Sequence, residues 1–326
     1  MATQIESMFA ERLSERKRRL EDVVSRSDNP DDIRQLLQDV DRALDKIGKG
    51  TYGLCEKCSE PIEMDRLNVD PLLRYCLDHL SASEQRALES DLNLARDIQT
   101  GLLPKKGIAL PGWQSAFHYE PLGPVSGDYC DIILNEAQDS FFFIVGDVTG
   151  KGVAASILMS QLHAMFRTLA QSGFPLSEIM GRANRIFCEA SLSTHFATLV
   201  CGLATQNGNV EICNAGHCYP IVVRKNSIET VSSTGLPLGV ACDSKFTTTA
   251  LTLGRNDRIV VYTDGLSEST DKTGEQYGEA RLKTLLRTSQ VSFASEVLTT
   301  SLGDLRNFLG NVKGDDDLTV LVLQKE

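Results

Sequence analysis

The first hundred residues carry apolar positions at intervals of three or four, the spacing typical of amphipathic helices. Residues 33–48 place on one stripe Leu36, Leu37, Val40, Leu44 and Ile47. A charged, helix-favouring segment at residues 5–24 precedes this stripe, and the letters SRSDNPDD supply a turn with Pro30 between the two. The pattern predicts an antiparallel helical hairpin over residues 1–50.

A third apolar stripe lies in residues 81–103 and contains Leu88, Leu92, Ala95, Ile98 and Leu102. The stripe stops near Pro104 because proline cannot continue a helix. We interpret this segment as an amphipathic linker helix that packs on a core or on a partner helix. The stripe is compatible with a homodimer formed through the linker helix but does not require one.

Beyond residue 104 the pattern changes to short runs of β-branched and aromatic residues, such as FFFIV, ATLVCGLA, DRIVVYTDG and LTVLVL. Helical patterns interrupt these runs at residues 153–171 and 176–192 and near 294–309. Many strands grouped among few helices favour a layered α+β fold over a parallel sheet built from βαβ units. The predicted fold class is therefore α+β, with residues 104–326 forming one domain.

Composition narrows the class of protein. The chain has 326 residues, of which 41% are hydrophobic, and a formal net charge of −11. No apolar run approaches the roughly 20 residues that span a bilayer, and charges occupy the positions where a signal peptide needs its apolar segment. We expect a cytoplasmic protein without a membrane partner. The acidic balance also disfavours direct nucleic-acid binding, which requires a basic face.

The nine cysteines fall into a close group and six scattered residues. Two residues separate Cys55 from Cys58, 17 residues follow, and Cys76 and His79 repeat the first spacing. Two such pairs can hold a tetrahedral zinc ion, so residues 51–80 are predicted to form a zinc finger with one structural Zn²⁺. The remaining cysteines are predicted to be reduced core thiols and not a secreted disulfide framework.

The stretch FFFIVGDVTGKG raises two alternatives, a phosphate-binding loop or a strand end that carries a metal-binding carboxylate. A P-loop has four residues between its glycines and a Ser or Thr after its lysine. Here three residues separate Gly146 from Gly150, and Lys151 is followed by Gly152. What remains is Asp147 at the end of an apolar strand, where a carboxylate is costly unless it is paired or binds a cation.

Aspartates stand at three further strand margins. Asp128 and Asp131 begin one strand, Asp264 follows another, and residues 315–317 precede the last. Any one of them, taken alone, is more typical of a turn or a cap. Together they favour a site for Mg²⁺ or Mn²⁺, since two such ions bound by oxygen ligands can activate a water and neutralise a phosphoryl group.

Seven motifs follow one another after residue 91, namely SGDYCD, GDVTGKG, FATL, NAGH, GLPLG, YTDGLSE and DDDLT. In this order they resemble the SpoIIE/RsbU branch of the metal-dependent serine/threonine protein phosphatases, the PPM family. The resemblance implies an αββα sandwich with two Mn or Mg ions between its sheets. It also implies hydrolysis of phosphoserine or phosphothreonine on a protein substrate.

The resemblance assigns roles to single residues. Asp128 should ligate one metal, directly or through water, and Asp147 should bridge both. Val148 stands where many relatives have glycine, and its backbone carbonyl can still serve as a ligand. Asp264 and Asp316 should ligate the other metal. Asp316 is preferred to its neighbours because it lies three residues before the threonine of the family's Asp-Asp-x-Thr ending.

Three departures from the family pattern leave every carboxylate in place. Ser126 replaces a frequent glycine, Cys130 a frequent aromatic residue and Lys151 a frequent histidine. They affect the expected substrate contacts and not the metal ligands. His217 in NAGH lies either near the site or in a structural turn. Cys130 has no general-base partner that would make it a nucleophile.

The letters GTYGLCEKCSEPI and the Cys/His spacing resemble the zinc finger of the DksA/TraR family, whose members can bind RNA polymerase through a helical hairpin. The leading hypothesis is a phosphatase whose substrate is a phosphorylated STAS-type anti-sigma-factor antagonist in a partner-switching pathway, as the SpoIIE/RsbU branch implies. One alternative is an RNA-polymerase-binding regulator that uses the phosphatase domain as a sensor or scaffold. Another is hydrolysis of a small phosphoester with the same metal chemistry.

Overall fold

The computed structural model describes residues 2–24, 31–80, 82–105, 108–135, 137, 139–191, 194–289 and 291–326. The chain divides into two compact units, Met1–Asp91 and Leu92–Glu326. The turn predicted around Pro30 lies outside the described residues, and the finer domain limits remain predictions. Within the described residues, no helix combines the length and the apolar character that crossing a membrane requires.

Two long helices dominate the first unit. They are α1 (Ala2–Val24) and α2 (Asp31–Gly48), followed by the short α3 (Met64–Val69). Phe9 of α1 shares an apolar cluster with Ile47 near the end of α2. Further along α1, Lys17 forms an ion pair at 2.6 Å with Asp41, which lies earlier in α2. The two helices are therefore antiparallel, as the apolar stripes predict.

Two five-stranded antiparallel sheets form the centre of the second unit. In spatial order, the first sheet contains β1 (Trp113–Glu120), β10 (Leu318–Lys325), β9 (Arg258–Tyr262), β6 (Ile221–Val223) and β7 (Ile228–Thr230). The second contains β2 (Asp128–Leu134), β3 (Ser140–Val148), β4 (Ala197–Thr205), β5 (Asn209–Ala215) and β8 (Thr249–Thr252). The helices of this unit are α5 (Val153–Leu169), α6 (Leu176–Ala190), α7 (Asp264–Ser267), α8 (Glu279–Thr288) and α9 (Ala294–Leu309), and the limit between the two units falls within α4 (Ala82–Leu102).

The strand β3 shows how the layers are built. Phe143 and Val145 enter an apolar core shared with the first sheet, whereas Phe142 and Ile144 face the core that α5 and α6 cover. Burial on both faces explains why the strand reads as a continuous apolar run. Residues of α8 and α9 cover the other side of the first sheet. The four layers confirm the predicted αββα fold, although the helix α8 is not among the predicted elements.

The prediction of six reduced core thiols is wrong for Cys188 and Cys242. These two residues form a disulfide between α6 and the segment that precedes β8, with Cα atoms 5.8 Å apart. The pair is separated by 54 residues, so its proximity depends on the tertiary fold and not on a local spacing that the sequence displays. Cys130, Cys201 and Cys213 are buried free thiols, as predicted.

Asp131, one of the strand-margin aspartates, points away from the other carboxylates. Its buried side chain accepts two hydrogen bonds of 2.7 Å from Arg167 of α5, one from Nε and one from Nη2. The backbone N–H of Ile132 donates a further bond at 2.8 Å. Asp131 therefore anchors α5 to β2 and belongs to the scaffold.

Asp131→Asn should lower the free energy of unfolding by about 2 kcal/mol, because the buried carboxylate accepts charge-assisted hydrogen bonds from Arg167 that asparagine does not replace. Urea unfolding and the melting temperature of the full chain measure this loss. Arg182→Gln removes an exposed ion pair with Glu178 and should cost less than about 1 kcal/mol. Equal losses in the two variants would contradict the anchoring role.

Candidate active site

Four strand margins meet at one end of the sandwich. The antiparallel register of β2 and β3 places Asp128 directly opposite Asp147. In the first sheet, Asp264 follows the end of β9, and Asp316 precedes the start of the neighbouring β10. Antiparallel pairing brings a strand end and a strand start together in each sheet, so the sequence-predicted carboxylates come from both sheets to one edge.

Asp128 connects the two sheets directly. Its buried Oδ2 accepts a hydrogen bond of 3.0 Å from the hydroxyl of Thr263 and another from the hydroxyl of Thr319. Both threonines lie in the first sheet or at its edge, whereas Asp128 begins β2 of the second. Asp128 is thus fixed in position by groups that cannot themselves carry charge.

The carboxylates raise one another's pKa values. Burial, with the nearby charges of Asp264, Asp316 and Asp317, raises the pKa of Asp147 to about 7. Burial and the charge of Asp147 also raise the pKa of Asp128. A region in which several carboxylates resist ionisation lacks positive charge, and a divalent cation supplies it.

Lys151 supplies part of the missing charge. Its Nζ lies 3.1 Å from Oδ1 of Asp316 and donates a hydrogen bond of 2.7 Å to the carbonyl of Asp315. The lysine of the GDVTGKG motif therefore contacts one predicted metal ligand, Asp316, and does not belong to a phosphate-binding loop. The same contact ties the turn after β3 to the segment that enters β10.

Two glycines permit close approach at the site. A Cβ at Gly127 would lie 2.8 Å from the carbonyl oxygen of Val148 and 3.5 Å from Oδ1 of Asp147. A Cβ at Gly265 would lie 1.9 Å from the carbonyl oxygen of Asp317. Space is thus kept beside a carboxylate and a backbone carbonyl, which are oxygen donors of the type that Mg²⁺ and Mn²⁺ prefer. The donor set fits hard divalent cations.

Asp317 has a role that the sequence analysis did not assign. Its buried carboxylate accepts hydrogen bonds from the backbone N–H groups of Leu122, at 2.7 Å, and Gly127, at 3.0 Å. These bonds fix the segment between β1 and β2 against the start of β10. The only sequence signal for this role was that DDDLT contains three consecutive aspartates. The partners of Asp317 lie about 190 residues away along the sequence, so local spacing could not identify them.

His217 and Cys130 lie within the scaffold. The ring of His217 shares a hydrogen bond of 2.8 Å with the Thr198 hydroxyl, and its backbone N–H donates to Asn214. This arrangement matches the structural-turn alternative, and burial lowers the pKa of His217 to about 4. Burial raises the pKa of the Cys130 thiol, so this residue is not suited to act as a nucleophile.

The first unit contains a compact group of Cys55, Cys58, Cys76 and His79, whose potential ligand atoms all lie within 4.8 Å of one another. The sulfur atoms of Cys58 and Cys76 are 3.7 Å apart, and Nδ1 of His79 lies 3.3 Å from the Cys76 sulfur. This group could hold a zinc ion. In the part of the chain that the structure describes, no set of three carboxylates converges as tightly.

The sandwich and its carboxylate edge define a phosphatase fold of the PP2C type. The PP2C domain of SiaA from Pseudomonas aeruginosa superimposes with a TM-score of 0.66 at 17% identity, over 76% of this chain and 100% of that one. The profile of the family described as Stage II sporulation protein E (SpoIIE) matches residues 137–326, which is more than half of the chain. The chain therefore belongs to the SpoIIE family, and the predicted serine/threonine phosphatase class is confirmed.

Two relatives extend over most of the chain. Protein IcfG from Synechocystis sp. is 27% identical over 267 residues, which cover 72% of this chain and 41% of IcfG. Phosphoserine phosphatase RsbU from Bacillus subtilis is 23% identical over 245 residues, which cover 74% of this chain and 72% of RsbU. The chain thus spans less than half the length of IcfG and nearly three-quarters of RsbU.

Without bound Mn²⁺ or Mg²⁺, the protein should lose stability through Asp147 between about pH 4 and about pH 7. The unfolded carboxyl titrates near 3.8 and the folded one near 7, so the folded state holds the extra proton in this interval. The free energy of unfolding then falls as the pH rises. Melting temperatures in buffer that contains Zn²⁺ but neither Mn²⁺ nor Mg²⁺ should decline with pH more steeply for the wild type than for Asp147→Asn.

Added Mn²⁺ should raise the melting temperature of the wild type more at about pH 8 than at about pH 5, because protons compete with the cation for the same carboxylates. Asp131→Asn, which changes an aspartate outside the cluster, should retain the response to Mn²⁺.

For the metal-free protein, parallel pH profiles of the wild type and Asp147→Asn would show that the Asp147 carboxyl does not titrate between about pH 4 and about pH 7.

Cys76→Ser should reduce the zinc content from about one ion per chain to near zero, since three ligands rarely retain a structural zinc. Metal analysis of the purified full chain measures this loss. Cys218→Ser changes a free cysteine outside the group and should retain the zinc. Zinc retained by Cys76→Ser would rule out this set of ligands.

Proposed function

We propose that the protein is a metal-dependent phosphatase that hydrolyses phosphoserine or phosphothreonine on a protein substrate. The observation that carries this proposal is the convergence of carboxylates from four strand margins at one edge of the sandwich, in a chain of the SpoIIE family. Cysteine nucleophiles do not explain the site, because burial and nearby aspartates raise the pKa values of both Cys130 and Cys218.

Two Mn²⁺ or Mg²⁺ ions are the proposed cofactors. Asp128, directly or through water, would hold one ion, Asp264 and Asp316 would hold the other, and Asp147 would serve both. The backbone carbonyl of Val148 would supply a further ligand. When bound, such ions supply water activation and neutralise the charge of a phosphoryl group. The raised pKa values and the space beside Gly127 support this assignment.

The remaining groups of the site would act by positioning. Thr263 and Thr319 hold Asp128 by hydrogen bonds, which keeps its carboxylate oriented while the neighbouring carboxylates change protonation. Asp317 holds the backbone of Gly127, so the segment that borders the site stays closed against β10. Lys151 is 56% exposed, so it can also approach the phosphate of a substrate while it contacts Asp316.

A phosphoserine protein is the proposed substrate, since the relative RsbU is a phosphoserine phosphatase. Within this class we propose a STAS-type anti-sigma-factor antagonist of a partner-switching pathway, acted on in the cytoplasm. A homodimer through the linker helix is also proposed. Leu94 and Ile98 lie one turn apart on α4 and are 60% and 59% exposed, which offers an apolar strip to a second copy.

A second candidate rests on the first unit. Its antiparallel hairpin and Cys/His group are the features that support a DksA/TraR-like module, and RNA polymerase is the partner that such a module would bind. Co-purification of polymerase with the full chain, compared with Cys76→Ser, tests this role. Polymerase retained by the wild type and lost from the variant would favour this role. If neither protein retains polymerase, the role is rejected and the phosphatase proposal stands by itself.

Asp264→Asn should reduce Mn²⁺-dependent phosphate release from a phosphoserine protein by at least about 100-fold, because loss of a ligand weakens metal binding and positioning. Asp243→Asn removes an exposed aspartate outside the cluster and should keep the activity of the wild type. A chelator should abolish release by both active proteins. Activity that persists in Asp264→Asn, with a melting temperature like that of the wild type, would reject the proposed site.

A further inference from the structure

A second concave site lies at the other end of the first sheet. It is a cavity of about 760 Å³ enclosed by three segments of the second unit. These are the turn between β6 and β7, the loop before β9, and the last turn of α8 with the residues that follow it. None of its lining residues belongs to the carboxylate site.

Basic side chains dominate this cavity. It is lined by Arg224, Lys225, Arg255, Arg258 and Arg287. The single acidic residue in the lining is Asp257, and Arg224 already binds it. Glu229, just outside the lining, also pairs with Arg224. Five cations against these two carboxylates still form a local excess in a chain whose formal net charge is −11.

Hydrogen bonds to residues outside the cavity lining help to fix two of the guanidinium groups, those of Arg224 and Arg258. Arg224 donates through Nε to Glu229 and through Nη1 to Asp257, each at 2.8 Å. Arg258 donates through Nε to the side chain of Gln324 at 3.0 Å and through Nη2 to the carbonyl of Val291. Both hydrogen bonds of Arg258 go to neutral oxygens, and Glu296 is the carboxylate whose charge acts on it from nearby.

The other three cations, Lys225, Arg255 and Arg287, make no ion pair with any residue that the structure describes. Exposed cations are often only solvated. Arg287 also lies in the last turn of α8, where its positive charge interacts favourably with the helix dipole. Solvation alone does not account for their arrangement, because they come from three separate segments and border one cavity. Their charge is available to a ligand.

We propose that this cavity binds a small molecule that carries a diphosphate or triphosphate group. Guanidinium groups match phosphate oxygens in a two-point geometry, and the hydroxyls of Ser227 and Ser289 line the same cavity. Ile228, Leu286 and Val291 add an apolar wall that suits the base of a nucleotide. The two sources of this chemistry are a nucleotide and an inorganic polyphosphate.

Isothermal titration of the zinc-loaded full chain with ADP, pyrophosphate and adenosine tests the proposal, in buffer with no free divalent cation. ADP and pyrophosphate should bind and adenosine should not. Added NaCl should weaken binding, since the site is partly exposed. The Asp264→Asn variant should bind ADP like the wild type, because the ligand does not enter the carboxylate site.

The double variant Arg255→Gln/Arg287→Gln should bind ADP at least tenfold more weakly. The matched control Arg185→Gln/Lys272→Gln removes the same charge at two exposed positions outside the cavity that make no ion pair with any described residue, and it should bind like the wild type. All four side chains lie at the surface, so equal melting temperatures are expected and separate a binding defect from misfolding.

The outcomes divide as follows. Tighter binding of ADP than of pyrophosphate assigns the site to nucleotides, and equal binding assigns it to the phosphate chain alone; both support the proposal. Three results would overturn it: no heat with either anion at roughly millimolar concentration, equal losses in the double variant and its control, or loss of ADP binding in Asp264→Asn.

Discussion

Burial of several carboxylates at one edge of a β-sandwich is the constraint around which the second unit is built. Burial and the charges of neighbouring carboxylates raise the pKa values of Asp128, Asp147 and Asp264, so the cluster opposes folding unless a cation or hydrogen-bond donors compensate for it. The chain uses donors at Asp128, where two threonine hydroxyls from the first sheet meet a carboxylate from the second. One polar contact thus joins the sheets and orients a predicted metal ligand, which couples the integrity of the fold to the geometry of the site.

The backbone around the cluster follows from the same constraint. Gly127 and Gly265 leave room where carbonyl oxygens approach, and a methyl group at either position would meet an oxygen atom. Asp317 then closes the edge with two hydrogen bonds to backbone N–H groups. Two adjacent aspartates before β10 therefore have different roles. Asp317 binds backbone N–H groups, whereas Asp316 stays accessible to Lys151 and to a cation.

Local pattern was sufficient to predict a layered α+β fold and the origin of the site, whereas the αββα order of the layers came from the family resemblance. The apolar run of β3 ends in Asp147, and both its double burial and its terminal carboxylate are readable from adjacent letters. The Cys/His group is likewise encoded by short spacings. The sequence could not show that Asp131 turns toward Arg167, or that Cys188 meets Cys242, because each depends on segments that only the tertiary fold brings together. The missed helix α8 has only two buried apolar residues, Leu282 and Leu286, so its periodic signal is weak.

The two charged regions of the second unit lie along one short strand. Arg258 begins β9 at the basic cavity, and Asp264 follows its other end at the carboxylate edge. At the usual rise of a strand, the six residue steps between them span about 20 Å. This separation exceeds the Debye length of about 8 Å at physiological salt, so the charge of an anion in the cavity is largely screened from the exposed part of the carboxylate site. Any coupling between the two must therefore pass through the packed backbone of β9, which is paired on both sides by β10 and β6. The backbone pairing of β9 with β10 is the shortest such route, because β10 carries Thr319, which orients Asp128.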